Sequence, residues 1–330
     1  MSDDPEEPAE GGTSVSFEYA NLELLGVDSE AGTAPQLVTE CVALLGACGV
    51  DTAKTRLVIT GDFVRSVQDR GDPGSTYHEN YDTARNTEVV GGKTIRRPDS
   101  SIDILLQAGL FVPTDDGDDE GPAMAFRTLV HEAQHAVIYQ NDEAGSQFEG
   151  ELWARKNFLV CADQVMEEYR AEAVACRVTS PSGWNTPDLG KTLRAWFEVL
   201  QRVAVHEYQD HLDVEKLAYD VLQETHTLWK LLAYVVAELS VTGEMLSEGV
   251  TDDDLWVLTI EPHWAEFTAL LNAVPDGQQR TSRADLDCMA GKLADLMARW
   301  LPKFGFSFRD RSEGSEFLIT SWTLLEAELD

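Results

Sequence analysis

Residues 131–135 read His-Glu-Ala-Gln-His, inside the stretch Thr128 to Val137, whose remaining residues are all uncharged. On a helix, positions four apart share a face, with their Cβ atoms about 5–6 Å apart. His131 and His135 can therefore aim imidazole nitrogens at one metal ion, at the roughly 2.0–2.1 Å bonds that zinc prefers. Glu132 follows the first histidine directly, where a carboxylate can act as general base toward the water such an ion activates. Two ligands and a base within five residues point to hydrolytic Zn2+ chemistry, and the other elements are read by how they serve it.

A hydrolytic zinc site takes three protein ligands and keeps the fourth position for water. The continuation Ala136-Val-Ile-Tyr-Gln-Asn-Asp-Glu-Ala-Gly145 has no histidine, which excludes a His-x-x-Gly-x-x-His ending. The later segment Met166-Glu-Glu-Tyr-Arg-Ala-Glu-Ala-Val-Ala-Cys-Arg-Val178 offers carboxylates instead. Glu168, Ala171, Glu172 and Ala175 fall on one helical stripe, and the two alanines allow close helix approach. Glu168 is the chosen ligand, and Glu172, one turn on, is expected to accept an N–H from a ligand imidazole. Glu167 and Glu172 stay open as alternative ligands. Glu167, Arg170 and Arg177 point away from that stripe, and two of them read as solvated surface.

The positioning elements follow from periodicity. Ser14 to Glu18, Arg56 to Thr60 and Ile102 to Leu106 read as strands, and Gln36 to Ala47 as a helix with Leu37, Cys41, Leu44 and Leu45 on one stripe. Thr87 to Val90 and Lys93 to Ile95, joined by Gly91-Gly92, suggest a hairpin, and 69–86 a long loop. The metal helix is expected over about 122–140, capped by Asp118 or Asp119 with Pro122 in its first turn. Helical patterns then cover 151–178, 189–211, 214–246, 253–272, 283–301 and 315–329. The predicted class is α+β: a disordered acidic tail over 1–13, a sheet-containing domain over 14–182, and an all-helical domain over 183–330. Pro181 to Asp188, with two prolines and a glycine, marks the boundary.

Composition narrows the setting. The chain has 330 residues, 43% of them hydrophobic, and 59 acidic against 25 basic residues give a formal charge of −34. Such a surface repels phosphate backbones and argues against direct nucleic-acid binding. No apolar run reaches the roughly 18–20 residues of a membrane span. The first residues lack the basic start and apolar centre of a signal peptide, so a cytoplasmic location is expected. Five cysteines without paired spacing argue against a disulfide framework.

A His-Glu-x-x-His helix, followed by a helix reading Glu-x-x-Ala-(Asn/Asp/Glu)-x-apolar-Ala and closing at a proline, resembles the gluzincin metallopeptidases, most closely the ImmA/IrrE type. Glu168 matches that family's metal-ligand glutamate, Ala171 the small residue three on and Glu172 the polar residue four on. Val174 and Ala175 match the apolar-Ala pair, and Pro181 the terminating proline. Glu172 and Val174 depart from the usual Asn or Asp and Phe, and no helix-turn-helix is found. The resemblance covers about residues 36–182 and implies a small zincin sheet whose edge strand binds an extended peptide. It implies a zinc peptidase acting on a protein by limited, regulatory cleavage. The substrate strand is expected near 102–106, with main-chain pairing. Oxyanion donors are sought among Tyr169, Tyr139, His78, His206 and Tyr208. The C-terminal helices would dock a regulatory partner. The rival reading is a zincin-like binding or sensor protein with an inactive or structural metal site.

Other patterns have plainer readings. His206 and His211 are five apart and fall on different helical faces. His226 and His263 are lone helical histidines with structural roles. Thr114 to Glu120 lacks the order of a calcium loop, and Asp252-Asp253-Asp254 suits a helix N-terminus. Trp184, Trp196, Trp229, Trp256 and Trp264 are expected to build the C-terminal core, and Gly91-Gly92-Lys93 to form a hairpin tip.

Overall fold

The computed structural model describes residues 13–28, 33–71, 84–85, 88–89, 91–112, 120–145, 148–179 and 189–325. The expected acidic tail, the caps Asp118 and Asp119, His78, Trp184 and the boundary Pro181–Asp188 lie outside them. The fold is a small sheet among many helices. Its contacts group into two compact units, residues 1–83 with 89–140, and 84–88 with 141–330.

In the first unit, β1 (Ser14–Glu18), β2 (Thr55–Thr60), β6 (Ile102–Gln107) and β5 (Gly92–Arg96) form a sheet in the order β1-β2-β6-β5. β1 and β6 run parallel to β2, and β5 is antiparallel to β6. Between β1 and β2 the chain passes through α1 (Gln36–Ala47), as a parallel connection requires. After β2 it turns into α2 (Phe63–Gln68), where the Asp62 carboxylate accepts the Arg65 N–H. Val58 and Leu105 pack with Phe63 and Val67 of α2. On the other side β5 and β6 contact α3 (Glu120–Gln140), which carries His131 and His135 and has Pro122 in its first turn.

Among the described residues Glu88–Val89 does not pair with β5 as the hairpin expected around Gly91-Gly92 would require, and Thr87 and Val90 lie outside those residues. β5 folds back on β6 through a turn in which Arg97 N–H bonds to Ser101 O and Ser100 N–H to Arg97 O. The short strands β3 (Ala84–Arg85) and β4 (Glu88–Val89) pair with each other. β6 is therefore paired on both sides, and among the described residues the edge strands are β1 and β5. This corrects the expectation that a substrate pairs near 102–106.

An ionic cluster locks this sheet. The Asp103 side chain, 2% exposed, accepts hydrogen bonds from Arg56, Arg70 and Arg97. Arg70, 5% exposed, also grips the Glu18 carboxylate. Burial pushes the Asp103 carboxyl up, but the three guanidinium bonds together outweigh it and hold it below the usual range. Arg70 likewise lowers Glu18.

In the second unit, α4 (Trp153–Val178) packs along α6 (Val214–Thr242) and α8 (Arg283–Trp300). α5 (Leu189–Gln201) runs through a π-helical stretch, Arg202–Glu207, into Tyr208–His211, and a second such stretch, Trp256–Ile260, precedes α7 (Glu261–Asn272). Trp196, Trp229, Trp256 and Trp300 are buried and Trp264 packs partly buried against them. Trp196 and Trp300 donate their indole N–H groups to Glu224 O and Thr259 O, which satisfies their polar atoms.

The unit is not all-helical: where a helix was expected over 315–329, the described residues to 325 hold no helix. Instead β7 (Phe306–Arg311) pairs with β8 (Gly314–Ile319) in a hairpin, while 326–329 lie outside the described residues. Phe306, Phe308, Phe317 and Ile319 alternate with period two and bury against the helices, which overrides the helical composition further along. Gly305, at φ +83°, lets the chain enter the hairpin, since a Cβ there would lie 1.8 Å from Ser321 O. The hairpin also caps α4. Leu152 supplies no side-chain cap, and Asp310 accepts the N–H groups of Ala154 and Arg155 instead.

Two outcomes test these locks. Asp103→Asn leaves Arg70 buried with half its counter-charge, and urea unfolding should show a loss of about 3–5 kcal/mol. Because Asp103 and Glu18 titrate below their unfolded values, their contribution is complete above about pH 5 and disappears as pH falls through the lower folded values. The stability of the wild type should therefore fall below about pH 5 more steeply than that of Asp103→Asn. Asp310→Ala removes a helix cap and should cost ~1 kcal/mol by the same measurement.

Candidate functional site

Helix α3, which carries His131 and His135, is held along its buried face. Ala125, Leu129, Val130, Ala133 and Ala136 are buried, and α3 contacts α1, β5 and β6. At its C-terminal end Gln140 accepts the Asp51 N–H and donates to Thr55 Oγ1, which fixes the helix to the start of β2. Gln134 donates to Cys48 O.

On this helix His131 and His135 present Nε2 atoms 3.1 Å apart, with ring centroids separated by 4.9 Å and planes at 65°. Two nitrogens at zinc-ligand distance from one tetrahedral ion stand about 3.3 Å apart. The observed separation therefore fits a shared cation, and the donor types suit zinc. A shared proton between a donor and an acceptor nitrogen is the other arrangement this spacing permits.

Glu132 is 8% exposed and is positioned from the sheet. Thr94 Oγ1 of β5 lies 2.9 Å from Glu132 Oε2 and 2.7 Å from the Glu132 carbonyl oxygen, so its one proton is shared between them. This contact depends on Gly92. A Cβ there would stand 2.6 Å from Thr128 Cγ2 and 2.8 Å from Glu132 Cγ, so only glycine lets β5 run this close to α3. Gly92 is thus a spacing residue inside a strand, not a hairpin tip. The sequence signal was available, since a glycine within a strand pattern often marks close backbone approach.

Tyr139 lies one turn beyond His135, its ring centroid 6.5 Å from that imidazole. Tyr169, in the second unit, is buried and donates its hydroxyl to Asn272 Oδ1 at the end of α7. Burial pushes that phenol up. His206 lies in the π-helical stretch and Tyr208 just after it.

Glu168 sits in the middle of α4, in the second unit. Its Oε2 accepts the Tyr234 hydroxyl proton, and Lys230 Nζ lies 3.6 Å from Oε1. Both partners come from α6 and were missed in the sequence. One turn on, Glu172 is buried, and its Oε1 accepts from the Cys176 thiol at 3.8 Å. Arg170, read among the residues turned away, is 2% exposed rather than solvated. It is paired with Glu143 at 2.5 Å and bonded to Pro275 O at 2.8 Å. Arg177 is exposed.

Among the described residues no helix is long and apolar enough to cross a membrane. The five cysteines are free thiols, and burial pushes Cys41 to about 12 and Cys48 to about 11, so neither is poised as a nucleophile. Comparison with protein-family profiles, with curated proteins and with solved structures gives no match.

The Gly92 contact makes a prediction. Gly92→Ala should destabilise the protein by about 1–3 kcal/mol, because Thr128 and Glu132 must give way to the new methyl group. In a crystal structure of the variant the Thr94–Glu132 bond should be longer. An unchanged bond and unchanged unfolding midpoint would contradict the spacing role.

Proposed function

We propose that this chain is a zinc-dependent metallopeptidase of zincin, gluzincin-like architecture, cleaving a peptide bond in a protein substrate. The observation that carries this reading is the 3.1 Å approach of the His131 and His135 nitrogens beside an oriented Glu132. The likeness of 131–135 and 168–181 to the ImmA/IrrE pattern supports it, as do the donor types. Two imidazoles, of His131 and His135, and the Glu168 carboxylate are the donor set proposed for the metal.

In this reading the third ligand is Glu168, and Glu172 accepts an N–H from a ligand imidazole behind it. Bound zinc supplies a Lewis acid that polarises a carbonyl and brings the pKa of water toward about 7. The work of the chain is positional. Glu132 takes the proton of the attacking water and passes it to the leaving amine. Thr94, by donating to Oε2, keeps that carboxylate turned and leaves its other oxygen to accept. Tyr139 is the candidate oxyanion donor on the same helix; the Tyr169 hydroxyl is committed to Asn272. An extended peptide would add to the edge strand β5, next to the helix that bears the base. The charge of −34 disfavours nucleic acid as substrate or partner. The setting is taken to be cytoplasmic, with a regulatory partner on the C-terminal helices.

The test uses purified full-length protein, elemental analysis and a proteome-derived peptide library read by mass spectrometry. The wild type should carry about one zinc per chain and generate new peptide termini. Glu132→Gln should keep its zinc and lose turnover by roughly 10²–10⁴-fold. Turnover that survives Glu132→Gln contradicts the hydrolase. A protein that binds zinc and cleaves nothing would be left with a binding or sensing role.

A further inference from the structure

The environment of Glu168 within the second unit bears on the same site, and the inference drawn from it rests on the metal reading above. Lys230 and Tyr234 are four apart on α6 and so share the face of that helix that meets α4. The Tyr234 hydroxyl donates to Glu168 Oε2. Lys230 Nζ stands 3.6 Å from Oε1 and 5.4 Å from the centre of the Tyr234 ring. That distance is too long for a direct hydrogen bond but close for a charge. Lys230 is only 14% exposed and Glu168 21%, so water screens the pair incompletely.

A carboxylate that is to bind one cation can do so through one oxygen or two. A hydroxyl donated to one oxygen occupies one of its two lone pairs and fixes the rotation of the group, which favours coordination through the other oxygen. An ammonium beside that other oxygen acts in the opposite sense, because a cation arriving there meets a like charge. We propose that Tyr234 and Lys230 are positioning residues with opposed effects on the metal. Tyr234 directs a divalent cation to Oε1 of Glu168 and strengthens its binding, while Lys230 weakens it. Single-oxygen coordination keeps the zincin coordination number low. The Lys230 charge stops the site from holding its ion more tightly than turnover requires.

The experiment measures Zn2+ affinity by competition with a chromophoric chelator, together with the visible spectrum of the Co2+-loaded protein, for wild type, Tyr234→Phe and Lys230→Met. Thermal melting checks that each variant folds. Tyr234→Phe should bind Zn2+ about 10–100-fold more weakly. Its Co2+ bands should lose intensity, as expected when a second carboxylate oxygen enters a tetrahedral shell. Lys230→Met should bind Zn2+ roughly tenfold more tightly or better, since about tenfold is the scale of one unit charge against a dication under full solvent screening and this pair is screened less than that. Wild-type affinity and spectrum in Tyr234→Phe would overturn the inference, and so would weaker binding in Lys230→Met. If the wild type itself takes up neither ion, it is the metal reading that falls. Should Tyr234→Phe fail to fold, Lys230→Met still decides by the direction of its change.

Discussion

Two imidazole nitrogens held 3.1 Å apart on a packed helix can share a metal ion or one N–H proton, but cannot both present bare lone pairs at that distance without repulsion. Much of the first unit can be understood as the means of holding that pair still. The helix cannot rotate without pulling Gln140 off the start of β2, or Gln134 off Cys48. Glu132 cannot swing without losing Thr94. That bond exists because β5 approaches closely enough, which only a glycine at 92 permits. A side chain capable of proton transfer is thus oriented by a strand, and the strand by the absence of a side chain.

The same economy appears behind the sheet. Asp103 accepts from three arginines drawn from β2, from the segment after α2 and from the β5–β6 turn, and Arg70 carries the link on to Glu18 in β1. Buried ion pairs of this kind add little net stability over apolar packing, but losing one partner is costly, so they specify an arrangement more than they strengthen it. In the second unit the β7–β8 hairpin lends Asp310 to the N-terminus of the helix that bears Glu168. In each unit, a residue remote in sequence fixes the element on which a proposed ligand stands.

Much of this was legible in the sequence because it is local. The helix of His131 and His135 ends at Gln140 as its pattern requires, α1 spans Gln36–Ala47 as expected, and the three strand runs of the first unit fall where alternation and β-branching place them. Spacing alone put the two imidazoles together. What escaped depends on pairing between distant segments. The partner of 92–96 could not be read from Gly91-Gly92, so β6 was taken for an edge. The terminal hairpin was hidden by a leucine- and glutamate-rich stretch after it, although Phe306, Phe308, Phe317 and Ile319 carried the period-two signal. Tyr234 and Lys230 read as ordinary members of a long helix. Only the packing of α6 on α4 gives them Glu168 as a neighbour.

The central claim is that one ion joins His131, His135 and Glu168. Anomalous diffraction at the zinc edge, from crystals of the zinc-loaded protein, addresses it most directly. The account predicts a single peak roughly 2.0–2.2 Å from His131 Nε2, His135 Nε2 and one Glu168 oxygen, with a solvent molecule completing the tetrahedron. A peak placed elsewhere, or one whose fourth ligand is another protein side chain, would contradict it.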